Sequence, residues 1–211
     1  CGPDPRPVKT QTHRKMYTLL IAAAILGLTS AQWTPPKYCG KNSCPRFQVD
    51  NEVSPLVERR YDATKWVTTN KTGMAMIYDF ATPWMFWKLF RYIDGHNTDE
   101  KKINMTAPVL VKVTPGSPHN FEMSFYLDIE DPPQPKDDSV YLTNLPQNFD
   151  VYVREYGGIS TELATKLKYK DLKGKLDAQS LKYNTTYYFT ASYNSPWEIF
   201  KMHNEIWIPK N

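Results

Sequence analysis

Cys39 and Cys44, separated by four residues in CGKNSC, form a pair whose type and spacing could do chemistry. Two close cysteines read as a disulfide or as half of a zinc site, and zinc needs further ligands nearby. The only early histidine, His13, lies in a segment that reads as removable, so a small disulfide loop is the expectation. His96, His119 and His203, the last beside Met202, fall in polar turn-like stretches. None has a Ser or Cys partner at a telling spacing. No G-x-S-x-G, H-E-x-x-H or C-x-x-C occurs, nor a Gly-rich phosphate loop, and the residues carry no enzyme signature. The acidic pairs Asp99-Glu100 and Asp137-Asp138 sit in loops, where charge runs usually face water.

The most conspicuous binding chemistry is aromatic. WMFWKLFRYI, residues 84–93, leaves Lys88 and Arg91 as its only charged residues. A helix apolar almost all round is buried or covers something, here a sheet or a flat apolar ligand. Thr82 is the expected N-cap, with Pro83 at the first helical position and Gly95 just past the end. A strand is expected from Ile103 to Val113. Its alternation puts Ile103, Met105, Ala107, Val109, Val111 and Val113 on one face and Leu110 with the polar residues on the other.

The chain begins with residues 1–15, which read as an upstream or non-native segment, followed by Met16 and an apolar run over residues 17–28. That run suits a signal peptide spanning 16–31, with cleavage before Gln32, and is too short to cross a bilayer. Without residues 1–31, which carry four basic residues and one acidic, the balance of 26 basic to 22 acidic falls from +4 to +1. That leaves no electrostatic case for nucleic acid. Sequons at Asn70, Asn104 and Asn184 agree with export, and no stable membrane anchor is expected.

Residues 32–55 read as a Pro-rich arm holding the cysteine loop, and 56–211 as the main domain. Within it, 56–61 and 63–69 read as strands, and the aromatic helix and its strand follow. Residues 121–129 alternate cleanly, with Phe121, Met123, Phe125, Leu127 and Ile129 inward. A strand over 151–156 comes next, then a Lys-rich helix capped by Ser160 or Thr161. The apolar face of that helix shifts from Leu163, Ala164 and Leu167 to Tyr169, Leu172 and Leu176, which predicts a kink or two short helices. Strands over 183–193 and 205–208 close the chain. The fold class is α+β: a distorted antiparallel β-barrel with two flanking helices, its second half echoing the strand-helix-strand-strand layout of the first.

KWVTT, LFRYIDGHN, KINMTAPVLVKV, YVREYGG, YFTASYNSP and NEIWIPKN together resemble the SOUL, or haem-binding-protein, family over residues 56–211. The resemblance implies that barrel and binding of haem or another tetrapyrrole. The cysteine arm and export signal are similar to a secreted branch. Some members use a histidine after the first strand's basic motif as an axial ligand, a position held here by Arg60. The family's apolar groove along the first helix falls on Phe86 and Phe90, with a basic residue at Arg91. A second basic position, two turns earlier, is Pro83. Two functions follow: a secreted haem or porphyrin carrier or scavenger, or an extracellular interaction protein that keeps the fold without haem.

Overall fold

The computed structural model describes Gly2 and residues 33–53, 56–74, 78–195 and 202–211. The proposed upstream segment and signal peptide lie outside the described residues. Trp33–Asn211 forms one compact unit. Its elements are β1 (Phe47–Val53), β2 (Leu56–Tyr61), β3 (Thr64–Gly73), α1 (Tyr78–Ile93), β4 (Val109–Thr114), β5 (His119–Leu127), β6 (Val140–Leu145), β7 (Phe149–Gly157), α2 (Glu162–Ala178), β8 (Tyr188–Ser192) and β9 (His203–Pro209).

All nine strands join one antiparallel sheet, curled into a half-barrel, in the order β1-β2-β7-β9-β8-β4-β5-β3-β6. Leaving β1 aside, this order reads the same from both ends when β2, β3, α1, β4, β5 are exchanged for β6, β7, α2, β8, β9. The chain is thus two ββαββ halves joined at the β4–β8 ladder, where Leu110 pairs with Ala191 and Val113 with Tyr188. The halves exchange their first strands, since β2 pairs with β7 and β6 with β3. This duplication is fuller than the sequence suggested, because β6 lies in a stretch without clear alternation.

Both faces of the sheet are buried, against different material. Val67, Val111, Val113, Phe121, Met123, Phe125, Ile206 and Ile208 face the two helices. Trp66, Leu110, Val151, Val153, Phe189, Ala191 and Trp207 face a second core, closed on one side by the N-terminal arm. That arm carries a single 3₁₀ turn, Lys37–Cys39, and the expected disulfide between Cys39 and Cys44, both buried. β1 lies within the same arm and, among the described residues, pairs only with β2.

Several expectations need correction. The strand expected from Ile103 begins at Val109, because Ala107 N–H donates to Ser43 O and Pro108 has no N–H to offer a ladder. Leu110 is buried in the second core, not on a polar face. The last strands run over Tyr188–Ser192 and His203–Pro209, with Tyr183 making only an isolated bridge to Lys210. α1 starts at Tyr78, so Thr82 is no cap and Pro83 sits inside the helix. The added first turn is held by tertiary packing: Tyr78 and Ala81 are buried, and Tyr78 Oη is 3.0 Å from Thr190 Oγ1.

The C-terminal stop of α1 is as expected. Gly95 has φ +111°, His96 N–H donates to Arg91 O and Gly95 N–H to Tyr92 O, a Schellman closure. α2 is capped by Thr161, whose Oγ1 accepts from Ala164 N–H, and runs as one continuous helix from Glu162 to Ala178 and not as two short ones. Thr165, Tyr169, Leu172 and Leu176, at helical spacing, form the inward stripe, while Leu163 and Leu167 are exposed. Asp79 of α1 accepts from Glu162 N–H, tying the two helix starts together.

Leu89 is fully buried under α1 and Leu167 lies out on α2. Leu89→Ala is expected to cost about 2–5 kcal/mol in urea unfolding, and Leu167→Ala no more than about 0.5 kcal/mol.

Candidate functional site

α1 divides its side chains cleanly. Ala81, Met85, Leu89, Tyr92 and Ile93 recur at helical spacing and are buried against β3 and β5. What remains faces outward and is aromatic and basic: Trp84 and Trp87 are 44% and 62% exposed, and Arg91 is exposed. Phe86 and Phe90 lie between these two zones, half-buried and stacked on each other with centroids 6.1 Å apart. Phe86 meets Phe125 of β5 edge-on at 5.2 Å, and Trp87 stands edge-on to Phe90 at 5.5 Å. The aromatic surface is therefore anchored in the core on one side and open on the other.

Positive charge rims it. Lys88 Nζ lies 4.1 Å from the Trp84 ring centroid and Lys71 Nζ 5.0 Å from it, both cation–π contacts. Lys88 also donates to Ser139 Oγ. Ser139, through its hydroxyl and its N–H, donates to Asp137 and holds that carboxyl below its usual range, with Lys88 and Arg91 adding to the effect. Such a surface can take a flat apolar body carrying acidic groups.

The structure brings Phe86, Phe90 and Arg91 together on one helix but leaves Arg60 elsewhere. Arg60 is on β2, five strands from β5 in the sheet order, and its guanidinium is engaged by Asp150 at 2.7 Å and Asp50 at 3.1 Å. Pro83 is exposed on α1, supplying no charge where a basic partner was considered. None of the three described histidines is on α1. His96 follows the Schellman stop, His119 stacks on Phe121, and His203 lies flat on Tyr38 at 3.8 Å. Asn70 and Asn104 are exposed. Asn184 is half-buried, its Oδ1 accepting from Thr186 and Tyr187.

A buried polar network escaped the sequence reading. Arg59, 3% exposed, donates from Nη1 to Glu205 Oε1 at 2.9 Å and from Nη2 to Glu155 Oε1 at 2.6 Å. Glu205 also accepts from Tyr193 Oη at 2.9 Å and Trp207 Nε1 at 2.6 Å, and its Oε1 is 2.8 Å from His203 Nε2. Phe47 stacks over the guanidinium at 4.5 Å. Glu155, His203 and Glu205 lie close enough for a metal ion, but Arg59 already bonds both carboxylates and holds the cationic position. The signal was a charged residue at an inward position: Arg59 falls between Val57 and Tyr61 on one face of β2, and Glu205 two residues before Trp207 on one face of β9.

Burial alone would raise the Glu205 pKa, but Arg59 and the hydrogen bonds from His203 and Trp207 bring it below the ordinary value. The stability this carboxylate contributes is therefore present above the unfolded-state pKa and lost as pH falls through the folded one. Glu205→Gln is expected to cost about 3–5 kcal/mol at neutral pH, because it strips a buried Arg of its charged partner. In acid titrations followed by urea unfolding, wild type should lose more stability below about pH 4.3 than the variant does.

With the geometry in view, comparisons place the chain. The family profile described as SOUL heme-binding protein matches residues 42–209. The chain is 34% identical to Heme-binding protein 2 of Homo sapiens over 157 residues, covering 71% of this chain and 75% of that protein. It is 25% identical to Heme-binding protein 1 of Xenopus tropicalis over 161 residues, covering 73% and 83% of the two. Among solved structures, the EcmrR C-terminal domain superposes with a TM-score of 0.57 at 9% identity, covering 78% of this chain and 98% of that one, a likeness of fold alone. A profile match over most of the chain, joined to more than 30% identity with a full-length relative, makes this protein a member of the SOUL haem-binding protein family.

Proposed function

We propose that this protein binds haem or a related tetrapyrrole on the outer face of α1 and acts as a secreted carrier or scavenger. The observation that carries the reading is the aromatic surface of Phe86, Trp87 and Phe90, open to solvent on one side and followed one turn on by Arg91. Relatives of this chain are named heme-binding proteins, which favours the same ligand class.

The residues fit such a ligand in part. A macrocycle is a broad apolar plate, suited to half-buried aromatic rings, and its two propionates suit a guanidinium and an ammonium. Arg91 would meet one propionate, and Lys88 would compete for the other against its bond to Ser139. When bound, the group would supply a redox-active, ligand-binding iron. The helix face itself offers that iron no histidine. His203, the one beside a methionine, is committed to Tyr38 and Glu205. Binding therefore rests on apolar contact and ion pairing, which suits uptake and release better than catalysis at the iron. Export is supported by the residues 16–31 pattern, the Cys39–Cys44 disulfide and exposed sequon asparagines at 70 and 104.

A haemin titration followed at the Soret band tests this. A saturable one-to-one shift is expected, weakened about tenfold or more by Phe90→Ala, and by Arg91→Glu to a degree that shrinks at high salt. Absence of a shift, or one indifferent to both variants, would leave the extracellular interaction protein as the better reading.

A further inference from the structure

The face of the sheet turned away from the helices holds a cleft that the haem reading does not use. It measures about 350 Å³ and lies over β3, β4, β5, β6 and β8. Trp66, Leu110, Leu145, Phe149, Tyr187 and Phe189 make its apolar lining. Phe189 is met edge-on by Phe149 at 6.0 Å and by Tyr187 at 5.6 Å, so the walls are braced rings. The volume falls within the range of small-molecule sites, and the lining is of their kind.

Two polar features set the chemistry. The first is a row of hydroxyls. Thr68 Oγ1 lies 2.8 Å from Ser124 Oγ and 2.7 Å from Thr143 Oγ1. Three hydroxyls carry three donor hydrogens, and the two mutual bonds use two of them. One hydroxyl hydrogen is left with no acceptor among the described residues, and it belongs to a group lining the cleft. Thr68 is buried and Ser124 and Thr143 half-buried, and a donor beside an apolar lining gains when an acceptor is supplied. The second is that the only charges in the lining cancel. Lys112 Nζ and Glu122 Oε1 are 3.2 Å apart on paired strands, and Lys112 also covers the Tyr187 ring at 4.8 Å. An ionic ligand would have to break that pair. A neutral one would not.

We infer that this cleft is a second binding site, for an uncharged, largely apolar molecule carrying one carbonyl or ether oxygen as its hydrogen-bond acceptor. The oxygen takes the spare hydroxyl hydrogen of the Thr68–Ser124–Thr143 row, and the rings enclose the apolar body. The site is independent of the α1 surface, because the two open on opposite faces of the sheet.

The test uses 6-propionyl-2-(dimethylamino)naphthalene, a neutral aromatic ketone whose emission moves to the blue in apolar surroundings and to the red when its carbonyl accepts a hydrogen bond. Saturable one-to-one binding to the full chain is expected. In Thr68→Val/Ser124→Ala/Thr143→Val, which removes all three hydroxyls of the row, affinity should fall about tenfold and the bound probe should emit further to the blue, because its carbonyl has lost its donor. Urea unfolding of the triple variant checks that the fold persists. Phe90→Ala and Arg91→Glu should leave the ketone unmoved, and the triple variant should leave haemin binding unmoved, so this site and the α1 reading fail separately. No saturable binding, equal affinity with unchanged emission in the triple variant, or equal binding of anionic 1-anilinonaphthalene-8-sulfonate at the cleft would overturn the proposal.

Discussion

The constraint that shapes this molecule is a sheet buried on both faces. Where helices cover one side of the half-barrel and the arm closes the second core on the other, as over β7 and β9, the strands cannot send polar residues to alternate positions. β7 shows the consequence directly: Val151, Tyr152 and Val153 follow one another and all are buried. Polar groups that do enter must be bonded there, since an unpaired buried charge or donor costs several times what a bonded one returns. The β4–β8 ladder extends this demand through both halves, because it joins them into a single sheet with no break in either core.

The Arg59–Glu205 pair is the sharpest case. It lies in the second core beneath the arm, where Tyr38, Phe47 and the disulfide turn cover it. Each charge is bonded more than once, and only Arg59 Nε has no partner among the described residues. A pair of this kind adds little stability over an apolar substitute of the same shape. It does oppose misplacement, because sliding β2 against β7 and β9 by one residue would leave the guanidinium buried without its carboxylates. The arm is then more than a leader to the fold. It covers the buried Arg59 and Glu205, and the disulfide between its two buried cysteines closes the covering turn.

What could be read from the sequence follows from where the physics is local. The Gly95 stop, the Thr161 cap and the close cysteine pair need only a few residues, and each was legible. The alternation of Phe121 to Leu127 was legible because the other side of β5 carries Glu122 and Ser124. β1 and β6 were missed because they are edge strands, each paired on one side only, and need few apolar residues; Val49 of β1 is half exposed. The start of α1 was missed because Tyr78 is held by Thr190, distant in sequence. In α2 the apolar face seemed to shift because exposed Leu163 and Leu167 resemble core residues by type. The α1 aromatic surface was readable as chemistry, but Arg60 could be placed away from it only once the strand order was known.

That order also explains how one duplicated fold comes to offer two unlike surfaces. Each half contributes a helix to one face and a set of strands to the other, so the ββαββ unit has a helical side and a sheet side from the outset. On the helical side, α1 leaves aromatic rings outward because its inward stripe is already filled by Met85, Leu89 and Tyr92. On the sheet side, the two halves diverge. The β2–β7–β9 portion is filled by Arg59, Glu205 and the arm, which reaches no further than the strands it covers. The β3–β5–β4 portion has no such arm over it, and there the hydroxyl row and the aromatic walls remain open as a cleft. The single N-terminal extension breaks the symmetry of the fold: it closes one half of the second face with a built-in cation and leaves the other half open.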